Sequence, residues 1–187
     1  MTLPARKTCL ALLKSKRVPD HIINHSLLVD CVARLLTRIL NEQGENLDMR
    51  LVTAAALLHD ITKMDGLRTG ENHAKTGGDL LRHLGYSRVA DVVECHVVVP
   101  DPRMHPKVTE EEIVNYADKR VMHDRIVNLE ERFQDLKLRY GKNADSQARI
   151  AASLERARLI ESKIFRHLDM QPEDLAVQVP VQPCVGR

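Results

Sequence analysis

The chain has 187 residues, 43% hydrophobic and 29% charged, enough for one domain with a real core or for a domain plus an appendage. A net charge of +2 gives no whole-chain field to draw nucleic acid or an anionic membrane, and 3% aromatics without Trp leave no stacking platform for single strands. No apolar run approaches the ~20 residues that span a bilayer, and Arg6 and Lys7 come before any signal-peptide core; the expectation is a cytoplasmic protein with no membrane or nucleic-acid partner.

Residues 3–16 read as a short amphipathic helix with Leu3, Leu10, Leu12 and Leu13 on its apolar side. Pro19 suits a first helical position and opens a second helix that runs to about Asn41. There His25, Leu28, Val29, Val32, Leu36 and Ile39 recur at helical spacing, so His25 faces the core. Gly44 ends that segment, and Asp48 can cap the next. Residues 51–58 are apolar at nearly every position, the mark of a helix buried on most sides, and they end in His59-Asp60. A histidine and an aspartate there are costly to bury without partners.

Residues 61–71, with Gly66 and Gly70, read as a loop, and Asn72 as the cap of a helix reaching about Leu84 and stopped by Gly85. Gly77-Gly78 inside it implies close packing against a neighbour, since glycines otherwise only weaken a helix. Val89, Val92, Val93, His96 and Val97 follow helical spacing and not strand alternation. Pro100, Pro102 and Pro106 make residues 100–108 a loop. Thr109 and Glu112 form a capping box for a helix carrying Ile113, Val114, Ala117, Asp118 and Val121. A charged amphipathic helix from about Arg125 to Tyr140 follows, then Gly141, then a long helix over residues 145–169. The pair reads as a helical hairpin, packed on the main body or forming a homodimer surface. With no strand-hairpin signal, the fold class is all-α. The expected organisation is a main domain over residues 1–125 with its polar core in 18–125, a helical hairpin over 126–170, and a flexible tail over 177–187.

The four cysteines, Cys9, Cys31, Cys95 and Cys184, contain no CxxC pair, which excludes a zinc ribbon or redox motif. The first three lie in apolar helical surroundings and read as reduced packing residues. Asp30 and Asp91 read as solvated helix charges. His21, His83, His105, His123 and His167 read as solvated or structural, with His105 and His123 nearest the cleft.

His25, His59, Asp60, His73, His96 and Asp118 each fall at a helix end or on a buried stripe. Four histidines and two aspartates without thiolate form a nitrogen and oxygen set suited to Mn, Fe, Co, Ni or Zn more than to Ca, with Mg also admitted. Their order resembles the HD superfamily of metal-dependent phosphohydrolases over roughly residues 18–125. The resemblance implies a helical bundle of the HD-domain type with a central site and two divalent ions. His25, His59, Asp60 and Asp118 would hold one ion, with Asp60 bridging to a second held by His73 and His96. It further implies a metal-activated water attacking a phosphoester or phosphoanhydride of a nucleotide or related phosphorylated small molecule. Asp60 and Lys63 are then the catalytic pair. Many relatives carry a lysine at the position of Lys63, which would bind a phosphate oxygen, whereas Thr62 stands where many carry glycine. Lys119 and Arg120 would add positive charge at the mouth.

The six-ligand order is similar to the dinucleoside tetraphosphate hydrolase type among others. The stretch from His96 to Pro106 lacks the Gly-Tyr-Pro signature of the cyclic-di-GMP type. Two alternatives stand beside hydrolysis: a di-iron oxygenase of the same superfamily, and a non-catalytic nucleotide-sensing domain.

Overall fold

The helix that ends in the His-Asp pair is buried over most of its length. The computed structural model describes residues 2–166 and 168–179. Helix α1 spans Arg6–Ser15, α2 Asp20–Glu42 and α3 Met49–Leu58. Val52, Ala54, Ala55, Ala56, Leu57 and Leu58 of α3 are sealed from solvent. Each sealed leucine contributes roughly 1.5–3 kcal/mol of burial. Asp48 caps α3, its carboxylate accepting from the backbone N–H groups of Arg50 and Leu51 at 3.1 and 3.2 Å. The alanines in the middle of α3 let neighbours close in, and α1 and α2 both pack on it.

Asp30 departs from expectation. It is not a solvated charge but is wholly buried in α2, where Arg6 Nε donates to its Oδ2 at 3.3 Å and Oδ1 has no hydrogen-bond partner. Burial in α2 extends beyond one stripe, with every residue from Val29 to Ala33 buried, which the helical period alone does not reveal. Burial pushes the Asp30 carboxyl up to about 6, against the pull of Arg6 and Arg34. A folded-state pKa above the exposed value means that stability is lost as pH rises through the window from about 4 to 6. The penalty at pH 7 is of the order of 3 kcal/mol. Asp30→Asn keeps an acceptor for Arg6 and removes the ionisation. In denaturant titrations, the variant's stability relative to wild type is expected to improve by about 3 kcal/mol between pH 4 and pH 7. A difference independent of pH would show that Asp30 stays charged in the folded state.

After α3 the chain makes one turn and enters α4, Lys63–Thr69, where a loop was expected. None of the α4 residues is buried, so the apolar period that marks a helix is missing. Its C-terminus is set by Gly70, whose φ of +80° suits a residue without Cβ. Asn72 caps α5 (His73–His83) by accepting from Ala74 N–H at 3.0 Å, and α5 lies against α6, Ser87–Cys95. The glycine pair serves this contact. A Cβ on Gly77 would stand 3.3 Å from both Thr62 Oγ1 and Val93 Cγ1, and one on Gly78 would collide with the Glu94 side chain. The valine-rich stretch is thus helical. Cys9 and Cys31 are buried and Cys95 half-buried, while Cys184 lies outside the described residues. Asp91 is exposed and faces Arg82 at 2.9 Å.

A short 3-10 turn, Pro102–Met104, precedes α7, Glu110–Arg120. The Thr109–Glu112 capping box opens α7 as expected. Residues 125–128, expected to be helical, lie before the helix, and Arg125 and Ile126 belong to a small antiparallel ribbon. Its strand β1 (Val121–Met122) pairs with β2 (Arg125–Ile126), Val121 opposite Ile126 and Met122 opposite Arg125. Two residues per strand are too few to show alternation in sequence. Helix α8 then runs over Leu129–Tyr140 from an Asn128 cap, and α9 over Ala144–Phe165 from a capping box of Asn143 and Ser146. They pack on each other and on α7. The start of the expected tail is folded as well. Val177 and Gln178 belong to α10, Leu175–Gln178, and Val179 is buried. Residues 180–187 lie outside the described residues, as does His167. The fold is all-α, as expected, with the ribbon as a minor addition.

Candidate metal centre

Five helices deliver the ligand candidates. His25 comes from α2, His59 and Asp60 from the end of α3, His73 from the first turn of α5, His96 from the end of α6, and Asp118 from α7. All are buried except His73, which is partly exposed. His59 and His96 are oriented alike. The Nδ1 of His59 donates to the Ala56 carbonyl at 2.8 Å, and that of His96 to the Val93 carbonyl at 2.6 Å. With the proton on Nδ1, each Nε2 presents its lone pair to the centre, which is how a backbone carbonyl sets a ligand histidine. Asn115 Nδ2 and Lys119 Nζ both donate to the His96 carbonyl, at 2.7 and 3.3 Å, and so lock the end of α6 to α7.

The donor atoms fall into two sets, His25 with His59 and Asp118, and Asp60 with His73 and His96; within each, the atoms lie within 4.8 Å of one another. His25 Nε2 is 3.1 Å from Asp118 Oδ1, and His59 Nε2 is 3.7 Å from the same oxygen. Asp60 faces both sets. Its Oδ2 is 3.3 Å from His59 Nε2, and its Oδ1 is 3.2 Å from His73 Nε2 and 3.7 Å from His96 Nε2. The Nε2 atoms of His73 and His96 approach to 3.1 Å.

The electrostatics keep the carboxylates charged. Burial works against Asp60, yet His59, His73 and Lys63 hold its pKa well below the usual range. Burial likewise works against Asp118, and Lys119, His25 and His59 hold it low. Burial lowers His25, and burial with the neighbouring His59 lowers His96 to about 3, which favours the uncharged ring at both. Burial also opposes charge on His59, but Asp60 outweighs it and raises that pKa. Neutral imidazoles beside ionised carboxylates are the state a divalent cation requires. His59 Nε2 makes no hydrogen bond although its side chain is sealed from solvent. An orphaned lone pair amid this donor set fits a first-row divalent ion.

A cavity of about 780 Å³ opens onto the cluster. Lys63 lines it and its Nζ is 2.7 Å from Asp60 Oδ2; burial would lower its pKa, but Asp60 raises it. Lys119 also lines the cavity, with Nζ 2.7 Å from Asp118 Oδ2, so it buttresses that carboxylate from within and is not a charge at the mouth. Arg120 points elsewhere, contrary to expectation. Buried on the far side of α7, it donates to the Val127 carbonyl at 2.6 Å, Tyr116 Oη at 2.5 Å and the Pro172 carbonyl at 2.9 Å, and its Nη1 is 3.4 Å from Glu161. Successive helical positions diverge by about 100°, so residues 119 and 120 cannot share the cavity. Of the remaining histidines, His21 and His123 line the cavity, whereas His105 is exposed and does not.

Sequence reasoning missed Arg132, Arg139 and Arg149, which also line the cavity. The only signal was the i,i+7 spacing of Arg132 and Arg139 on one helix, easily taken for a solvated face.

With that geometry in view, the comparisons are consistent. The HD domain family model matches residues 22–123, a span running from just before His25 to just past Asp118. The chain belongs to the HD domain family. It is 34% identical to a tRNA (cytidine(56)-2'-O)-methyltransferase of Thermoplasma volcanium and 33% identical to the protein of that name from Picrophilus torridus, in each case over 69% of this chain and 40% of the relative. It thus spans two fifths of the length of those relatives. It is also 29% identical to an uncharacterised protein of Methanocaldococcus jannaschii, over 70% of this chain and 84% of that protein. No solved structure shows a significant match.

Arg120 provides a check on the two roles assigned to neighbouring cations. Arg120→Ala is expected to cost about 3 kcal/mol in denaturant unfolding, as loss of a buried hydrogen-bonded charge does, while its Tyr116 and Glu161 partners lose their donor. Its bound metal, measured by plasma emission at a temperature where it is folded, should match wild type. A loss of metal without loss of stability would return Arg120 to the site.

Proposed function

We propose that the chain is a metal-dependent phosphohydrolase that cleaves a phosphoester or phosphoanhydride of a nucleotide or related phosphorylated small molecule. The observation that carries the reading is Asp60, whose two oxygens each face one histidine set. In this assignment His25, His59 and Asp118 would hold one divalent ion and His73 and His96 a second, with Asp60 offering an oxygen to each. When bound, such a pair supplies Lewis acidity toward phosphoryl oxygens and lowers the pKa of water. The donor set suits Mn, Fe, Co, Ni or Zn.

The protein's own groups do the positioning. The Ala56 and Val93 carbonyls hold the two deepest imidazoles in the ligating tautomer. Lys119 fixes the Asp118 carboxylate through Oδ2 and leaves Oδ1 to the histidines. Lys63 reaches the edge of the cluster from the first residue of α4, where its ammonium can pass from Asp60 to a phosphate oxygen. The HD unit of residues 1–125 then carries the ligands, and the hairpin of residues 126–170 walls the cavity.

The names of two relatives reopen a question that a net charge of +2 had seemed to close. Those proteins are named for tRNA methylation, and this chain matches only 40% of each. In our reading the shared part is the HD unit, and methyl transfer belongs to the remainder. RNA is then a candidate neighbour of the reaction and not the methylated substrate of this chain.

The test combines metal analysis with phosphate release over a nucleotide panel. Wild-type protein loaded with manganese should release phosphate, and Asp60→Ala should lose bound metal together with at least about a hundredfold of the rate. Lys63→Met should retain metal and lose about tenfold in kcat/KM. Full hydrolysis by Asp60→Ala, or methylation of tRNA by this chain alone, would overturn the assignment. Two tightly held irons with oxygen uptake and no phosphate release would favour the oxygenase.

A further inference from the structure

The cavity continues past the ligand cluster to a wall that lies outside the matched family region. That wall is the α8–α9 hairpin, which presents Arg132, Leu136, Arg139 and Tyr140 from α8 and Arg149 and Ile150 from α9. Arg132 stands nearest the cluster, with Nη2 3.9 Å from Asp118 Oδ1. Its Nε is buried and makes no hydrogen bond. Arg139 lies two helical turns further out, about 10 Å along α8. One carboxylate, Asp135, serves both guanidiniums, with Oδ2 3.3 Å from Arg132 Nη1 and Oδ1 2.8 Å from Arg139 Nε. The second edge of Arg139 is held by His123 Nε2 at 2.7 Å. Arg149 is exposed and makes no ion pair among the described residues.

Besides the ligand candidates, Asp124 is the one acid that lines the cavity among the described residues, while three guanidiniums, those of Arg132, Arg139 and Arg149, line it. The rim beyond them is apolar. Met64, Leu67, Val98 and Tyr140 line the same cavity and are 46, 63, 59 and 47% exposed. Exposed apolar side chains gathered around one opening mark a surface that covers a ligand.

We infer that the substrate carries a second phosphate, held by Arg139 and Arg149 on the hairpin while the attacked phosphate lies at the ligand cluster beside Arg132 and Lys63. The class this selects is a nucleoside with two or more phosphates, its base against Tyr140, Met64 and Leu67. Arg139 and Arg149 are binding residues that discriminate by phosphate number. The choice of which phosphate is attacked rests on the hydrolase reading; the two-anion site does not.

The test is calorimetric titration of the full chain, loaded with manganese, with AMP and with α,β-methylene-ADP, which resists cleavage between its phosphates. Wild type should bind the diphosphate analogue at least about tenfold more tightly than AMP. The double variant Arg139→Gln, Arg149→Gln should bring the two affinities within about twofold and leave AMP binding unchanged. Both side chains are solvent-exposed, and an unaltered circular dichroism melt verifies the fold. Equal affinities in wild type, or a gap that survives the double variant, would overturn the inference. If the gap appears and collapses as described while no phosphate ester is hydrolysed by wild type, the two-anion site stands and the hydrolase reading fails. If hydrolysis is present but the gap is absent, the reverse holds.

Discussion

The centre depends on one carboxylate placed where two groups of histidines meet. Asp60 is 2% exposed and stays ionised because His59, His73 and Lys63 surround it. Burying a carboxylate costs several kcal/mol, recovered only if its oxygens are met by well-placed partners. Both oxygens are so met, Oδ2 by the Lys63 ammonium and Oδ1 by His73. The sealed helix α3 makes the placement rigid. It cannot translate without opening a void against α1 and α2, and a packed core resists such voids. The hydrophobic run is therefore the means by which a charged group is held in place.

Around that fixed point the chain divides its work. Residues 22–123 carry the histidines and aspartates and match the family, whereas α8 and α9 lie beyond the match and shape the outer cavity. The ligand candidates sit at helix ends and on buried stripes, where backbone carbonyls such as those of Ala56 and Val93 can orient them. The cavity wall sits on the more exposed α8 and α9, where substitutions disturb little of the core. Such a division lets one chemistry be kept while the admitted molecule changes.

Much of this was legible in the sequence, for identifiable reasons. The caps at Asp48, Asn72 and Thr109 are local chemistry and could be read directly. The six ligand candidates could be named because each falls at a helix end or on a buried stripe, in an order that resembles the HD superfamily, and the structure brings them together. Other features lacked a local signal. Helix α4 buries nothing, so it has no stripe; the ribbon is too short to alternate. Asp30 looked like any charge on a helix until α1 was seen to cover it with Arg6. Arg120 could not be told from Lys119, because which of two neighbours faces inward depends on the rotation of α7.

The burial of Arg120 also bears on where this domain ends. One guanidinium two residues past Asp118 joins the Val127 carbonyl, Tyr116 and the Pro172 carbonyl, and lies beside Glu161. Its satisfaction is drawn from parts of the chain some fifty residues later. A fragment stopping at the edge of the family match would expose the inner face of α7 and leave a charge there without its partners. The helix that presents Asp118 is thus finished by the C-terminal segment. In this chain the matched span carries the ligand candidates, and its last helix packs against the helices that follow it.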